Sequence, residues 1–266
     1  MRGMILYTLT DADKNSWFIR RLQEEAARHG HLLSLYITDH QEKIDPCMAD
    51  FCINRSRHAA LSECFEAAGK PSINNSRTIR IANDKWLTFQ LFQRLSLPCM
   101  DTFLPGHEPA YPFVVKSRNG HGGSEVFLAE DGEKYAAIRE KLEDRPYILQ
   151  PLCDEPGVDV RAYVMGSDVF AAVRRSCTTD FRSNYSLGGQ VELFTLNKEQ
   201  LQAIRLMQKA LKSDYIGVDF IRHQGRWVVN EIEDAAGARM LYQLTDIDFI
   251  HLFWQQIEQK LKEADL

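Results

Sequence analysis

The chain has 266 residues, enough for one large domain or two small ones with a true core, and its 44% hydrophobic and 26% charged residues mark an ordinary globular protein. A formal net charge of −5 excludes bulk electrostatic attraction to nucleic acid or to an anionic membrane. Six cysteines form no C-x-x-C pair, and only Cys47 and Cys52 lie close together, a pattern of reduced, packed thiols rather than of a zinc site.

The opening run M-R-G-M-I-L-Y-T-L-T is too short for a signal peptide and reads as a first strand over 4–9. No stretch reaches the roughly 18 apolar residues of a membrane span, so a cytoplasmic protein without membrane contact is expected. A polar loop over 10–14 follows, then a helix over 16–28 with Phe18, Ile19, Leu22 and Ala26 inward, closed by His29-Gly30. Strands over 31–37 and 50–55 and a helix over 59–68 complete an alternation that predicts a small parallel α/β layer across residues 1–80, with 70–75 as a turn-rich segment. Asn83 is the expected N-cap of a helix over 84–95, presenting Trp86, Leu87, Phe89, Leu91 and Leu95. Strands over 113–116, 125–128 and 146–150 surround a glycine-rich loop, S-R-N-G-H-G-G-S, and a helix over 133–142 carrying Tyr135, Ile138 and Leu142. A hairpin about Gly166-Ser167, an amphipathic helix over 201–211 and a terminal helix over 246–262 close the chain.

The chemistry concentrates in Y-I-G-V-D-F-I-R-H-Q-G-R-W-V-V-N-E-I-E-D-A-A-G, residues 215–237. Two apolar runs flank His223-Gln224-Gly225, which predicts a β-hairpin. Strand alternation puts Gly217, Asp219 and Ile221 on one face of the first strand, and Trp227, Val229, Glu231 and Glu233 on one face of the second. With the turn centred on Gly225, Asp219 stands opposite Glu231. Three carboxylates so placed repel unless a cation lies between them, and oxygen-only ligands suit Mg²⁺, with Mn²⁺ tolerated, rather than zinc. Upstream, Lys116 ends a strand just before Gly120, Gly122 and Gly123, where backbone N–H groups can approach phosphate oxygens. Neither the Walker A nor the G-x-G-x-x-G spacing is present, since no helix follows. Arg182 and Asn184, in F-R-S-N before Gly188-Gly189, can bind an anion or complete a metal shell, and Arg161, Arg174 and Arg175 add positive charge.

Taken in order, these pieces resemble the ATP-grasp superfamily, most closely its RimK-like carboxylate–amine ligases. The matches are Asp84-Lys85 to Phe92 (Phe where the family has Leu), P-x-V-V-K at 112–116 with its glycine loop, V-Q-x-x as L-Q-P-L at 149–152, D-x-R at 159–161, F-R-S-N with G-G, G-V-D at 217–219, and E-x-N as Glu231-Ile232-Glu233. The resemblance implies an α/β (α+β) protein of ATP-grasp fold. Its parts would be an N-terminal parallel α/β pre-ATP-grasp domain over 1–82 and an ATP-grasp domain over 83–266. The latter comprises a central lid subdomain over 112–152 and a C-terminal antiparallel-sheet subdomain over 153–266.

It further implies Lys85 and Lys116 on the ATP phosphates with Gly120, Gly122 and Gly123, Gln150, Pro151 and Leu152 at the adenine hinge, and Asp159 near the ribose. Arg182 and Asn184 would act at the reacting centre, and Asp219, Glu231 and Glu233 would hold two Mg²⁺. The implied partners are ATP, an acid and an amine such as an amino acid; ATP would phosphorylate the acid and the amine would displace phosphate. Homo-oligomerisation is left open, and an ATP-grasp kinase or a non-catalytic nucleotide-binding scaffold are the alternatives. Glu233 stands where the family has Asn, Asp234-Ala235-Ala236-Gly237 replaces S-S-P-G, and Tyr185-Ser186-Leu187 lacks a common His-Arg pair. Arg55 and Arg239, with Arg161 and Arg175, are the candidates to bind the substrate carboxylate.

Overall fold

A computed structural model describes residues 1–39, 43–183 and 189–264. Its first unit is a four-stranded parallel sheet in the order β2-β1-β3-β4, built from β1 (Arg2–Tyr7), β2 (Leu32–Ile37), β3 (Phe51–Asn54) and the short β4 (Ser72–Ile73). β1 ends at Tyr7, short of the expected Leu9. Thr8 caps a short helix, α1 (Leu9–Lys14), where the sequence suggested a loop; its Oγ1 accepts from the Asp11 N–H. The next helix, α2 (Ser16–Arg28), buries Ile19, Leu22 and Ala26 and ends at Gly30, whose φ of 76° suits glycine.

After α3 (Ala59–Ala67), the supposed turn segment does structural work through Asn74. Its side chain donates to the Tyr215 and Asp234 carbonyls and accepts from the Asp214 and Tyr215 N–H groups, joining the first sheet to the last. Asn75 then caps a helix the sequence reading lacked, α4 (Ser76–Ala82). The cap of α5 (Lys85–Arg94) is Asp84, not Asn83, because the Asp84 carboxylate reaches the N–H groups of Trp86 and Leu87. Its buried residues are Thr88, Leu91 and Phe92, so of the expected face Trp86, Leu87, Phe89 and Leu95 are only partly covered.

Strands β5 (Phe113–Ser117), β6 (Val126–Ala129) and β7 (Tyr147–Pro151) form a small antiparallel sheet backed by α6 (Gly132–Leu142), whose Tyr135, Ile138 and Leu142 fill its core. A five-stranded antiparallel sheet follows in the order β10-β9-β8-β11-β12: β8 (Val158–Met165), β9 (Asp168–Ser176), β10 (Gln190–Leu193), β11 (Tyr215–His223) and β12 (Arg226–Glu233). On one face Val160, Ala162, Val164, Ile216, Val218 and Phe220 pack on α7 (Lys198–Leu211) through Ile204 and Met207. On the other, Tyr163 and Tyr215 join the core shared with α8 (Arg239–Leu244), α9 (Phe249–Ala264) and the first sheet. Further along that second face the apolar residues give way to Asp159, Arg161 and Asp219. Alternation thus places the charge on the open end of a face whose other end is core. No helix among the described residues is long and apolar enough to cross a membrane.

Candidate active site

The β11–β12 hairpin turns through Gln224 and Gly225, with φ of 50° and 73°, the left-handed pair of a two-residue turn. Asp219 pairs with Glu231 as expected, but by a different route. His223 pairs with Arg226 and Phe220 with Val229, one residue short of a turn centred on Gly225; a bulge after Asp219 restores the count. The extra residue is Asn230, and it reverses the alternation expected across β12. Trp227 and Val229 pack into the apolar core, while Asn230, Glu231 and Glu233 line the cleft.

That cleft lies between the three-stranded and five-stranded sheets. Every described residue proposed for nucleotide or catalysis lines it: Lys85, Lys116, Gly120, Gly122, Gly123, Gln150, Pro151, Leu152, Asp159 and Arg182, with Asp219, Glu231 and Glu233. Asn184 and Gly188 lie outside the described residues. Lys116 arrives on β5 and donates to Asn230 Oδ1 at 3.1 Å. Lys85 arrives on the first turn of α5, 2.9 Å from Glu231 Oε1, and also donates to the Gly120 carbonyl of the glycine loop. Burial lowers the Lys116 pKa against the pull of Glu231. Burial also resists ionisation of Glu231, but the Lys85 and Lys116 ammoniums outweigh it and hold its carboxyl below the usual range. Arg182 is oriented by Asp180 and donates to the Gly123 carbonyl at 2.9 Å, linking its loop to the glycine loop.

The carboxylates do not converge as the sequence suggested. The only described set of three or more such side chains with ligand atoms all within 4.8 Å of one another lies elsewhere. Cross-strand pairing explains this. Arg161 sits opposite Asp219 and Arg175 opposite Asp159. Arg161 grips Asp219 at 2.7 and 2.6 Å and Glu233 at 2.7 Å; Arg175 grips Asp159 at 2.6 and 2.5 Å and Asp219 at 2.9 Å. Beside this network Gly217 lets Ala236 pack closely, since a Cβ there would lie 2.9 Å from the Ala236 Cβ. Asp219 is desolvated, yet the two guanidiniums draw its pKa down to about 2. Asp159, sharing Arg175 with it, is pushed up by burial.

The donor set still fits a hard cation at Glu231 and Glu233. Both carboxylates line the cleft, paired with Lys85 and Arg161, and Mg²⁺ characteristically takes one or two carboxylates plus substrate phosphates. Arg161 and Arg175, candidates for the substrate carboxylate, are instead committed to protein carboxylates.

A second chamber of about 320 Å³ opens beside the cleft and shares Gly120, His121, Gly122, Arg161, Glu231 and Glu233 with it. Arg55 and Arg239 both line it. Arg55 is buried, donating to the Tyr7 hydroxyl at 2.7 Å and the Ala235 carbonyl at 3.1 Å with Phe18 stacked 4.9 Å away, so it is part of the wall. Arg239 is exposed at the start of α8 and donates to the Lys14 carbonyl. Sequence reasoning missed His121, Asn230 and the chamber residues Asp11, Arg57, Asn83 and Asp234. Asp234 is buried, accepts from Asn83 at 2.9 Å and is pushed up by burial. The only sequence signal was its place in the D-A-A-G departure.

Known proteins resemble this chain in sequence and in fold. A family model described as a RimK-like ATP-grasp domain matches residues 82–257. An uncharacterized protein of Mycoplasma pneumoniae (strain ATCC 29342 / M129 / Subtype 1) is 32% identical over 252 residues, covering 91% of this chain and 87% of its own. A probable alpha-L-glutamate ligase of Haemophilus influenzae (strain ATCC 51907 / DSM 11121 / KW20 / Rd) is 31% identical over 197 residues, 69% of this chain and 65% of that one. Among solved structures, D-alanine–D-alanine ligase from Bacillus anthracis complexed with ATP shares the fold at a TM-score of 0.72 and 16% identity, over 100% of this chain and 99% of that one.

Proposed function

Because this chain belongs to the RimK-like ATP-grasp family, a family of ATP-dependent ligases that form C–N bonds, we propose that it joins a carboxylate to an amine through an acyl phosphate. The observation that carries the reading is the pair of lysines beside the glycine loop: Lys85 on α5 is ion-paired with Glu231, and Lys116 on β5, bonded to Asn230, adds its charge to hold Glu231 ionised. Gln150, Pro151 and Leu152 take the adenine edge, Asp159 lies toward the ribose, and the triphosphate runs between the lysines and Gly120, Gly122 and Gly123. Glu231 and Glu233 would hold Mg²⁺, which neutralises phosphate charge and orients the γ-phosphoryl group. Asp219 completes this wall by fixing Arg161 and hence Glu233. The small sheet within 112–152 closes over the nucleotide as a lid.

In the first step a carboxylate oxygen of the acid attacks the γ-phosphorus, the bond to the β–γ bridging oxygen breaks, and ADP leaves. The amine then attacks the acyl carbon, phosphate departs with the bonding pair, and the amine proton passes to solvent or phosphate. Lysine charge stabilises the first step, and Arg182, beside the glycine loop, is the donor assigned to the tetrahedral oxyanion of the second. The second chamber receives the acid, with Arg239 as its exposed cation. Arg239→Ala raises the KM for the acid and leaves the KM for ATP unchanged; equal acid KM values remove Arg239 from the role.

The test is a screen of ADP release by the purified protein with acids and amines, singly and in pairs, with product masses. The reading expects release that needs both, and its loss in Glu231→Ala. Stoichiometric phosphorylation of a single substrate would identify a kinase, and nucleotide binding without any release would identify a scaffold.

A further inference from the structure

The described carboxylates and imidazoles whose ligand atoms do converge are Glu25, His29 and His251, all within 4.8 Å of one another. None lines the cleft or the second chamber. Glu25 is buried on α2 beside His29, and His251 belongs to α9 at the other end of the chain. Glu25 Oε1 is 3.5 Å from His29 Nε2 and 2.9 Å from His251 Nδ1. Those separations bracket the edge of about 3.3 Å that a tetrahedron of 2.0 Å bonds requires. The outer nitrogens are held as well: His29 Nδ1 lies 2.8 Å from Glu258 Oε1, and His251 Nε2 lies 3.0 Å from the Gln255 side-chain amide. A carboxylate or amide behind each imidazole is the support that metal-ligating histidines use to fix tautomer and ring orientation.

We propose that Glu25, His29 and His251 form a site for a divalent transition metal of the Zn²⁺ type, which ties α2 to α9. Two imidazoles and one carboxylate suit Zn²⁺ and not the hard cation of the cleft, and three protein ligands leave a fourth position for water. The proton count is simple. His29 keeps its proton on Nδ1, donated to Glu258. His251 moves its proton from Nδ1 to Nε2, where the Gln255 amide, turned over, accepts it. Arg28, 2.8 Å from Glu25 Oε2, stays on the oxygen the metal does not use. The site is reachable from solvent, since the His251 side chain is 47% exposed.

The test uses the full chain, stripped with chelator and titrated with Zn²⁺, and with Co²⁺ as a spectroscopic probe. The expected result is one ion per chain, a Co²⁺ ligand-field spectrum without a thiolate charge-transfer band, retention in excess MgATP, and a Tm raised by roughly 5–10 °C at a hundredfold excess over Kd. His251→Ala should abolish the rise. Glu258→Gln, which leaves all three ligands in place, should weaken binding roughly 10–100-fold. The proposal is overturned if the wild type binds no Zn²⁺ at high micromolar concentration, if His251→Ala binds it equally, or if the Co²⁺ spectrum shows cysteine ligation. These readouts do not depend on ADP release, so they stand or fall apart from the ligase reading.

Discussion

Arg161→Met tests how the charged wall of the cleft is held. Arg161 is 6% exposed and makes two bonds to Asp219 and one to Glu233. Methionine fills most of the aliphatic volume, so the cost comes from stranding carboxylates in a desolvated site, about 3–5 kcal/mol for a broken buried pair. Asp219→Asn is milder, at about 1.5–3 kcal/mol, because Arg161 keeps Glu233 and Arg175 keeps Asp159. The double variant removes both partners and should fall short of the sum by about 2 kcal/mol. Urea unfolding of the four proteins at pH 7 measures this, with a Tm drop of roughly 10 °C expected for Arg161→Met. The pH dependence has a definite sign. Asp219 is depressed from 3.8 to about 2, so its stabilisation is present above the unfolded value and lost as pH falls through the folded one. The gap between wild type and Asp219→Asn should therefore close between about pH 4 and pH 2. A cost below about 1 kcal/mol for Arg161→Met, or strict additivity, would refute the reasoning.

Three further outcomes follow from the same geometry. Lys116→Met should raise the KM for ATP and reduce kcat by about 100-fold, read by steady-state ADP release, with stability little changed because burial already opposes its charge. Gly157→Ala should cost roughly 2–4 kcal/mol in urea unfolding, because Gly157 has φ 80° and a Cβ there would lie 2.3 Å from the Cys177 carbonyl oxygen. It should also lower turnover, since the Gly157 N–H holds the Phe181 carbonyl beside Arg182. Glu233→Asn should keep ATP turnover while shifting the Mg²⁺/Mn²⁺ preference, measured by activity across both metals; complete loss of turnover would contradict it.

Local rules made much of the fold legible. The α2 pattern and its Gly30 stop gave that helix to the residue, and alternation with turn chemistry gave the β11–β12 hairpin. The Asp219–Glu231 pairing was reached through two offsets of one residue that cancel: the turn is centred between Gln224 and Gly225, and Asn230 is bulged. A bulge leaves no periodic trace in V-V-N-E-I-E, so the inward Asn230 and the core-facing Trp227 and Val229 were not readable. Asp84 outcompeting Asn83 as cap was equally hidden, because Asn83 serves Asp234, 151 residues away. The same distance problem conceals the second chamber, whose Asp11, Arg57 and Asp234 meet only when the first sheet docks on the last through Asn74. Charge compensation was the remaining surprise. Three acidic residues on one face suggested a cation, whereas Arg161 and Arg175, across the ladder, neutralise Asp219 before any cation arrives.

The central claim is that ATP activates a carboxylate as its acyl phosphate, and oxygen transfer measures it most directly. With an acid that supports ADP release, labelled with ¹⁸O in its carboxyl group, one labelled oxygen should appear in the released phosphate for each amide formed, and Glu231→Ala should abolish the transfer. Phosphate without label, alongside ADP, would contradict the account.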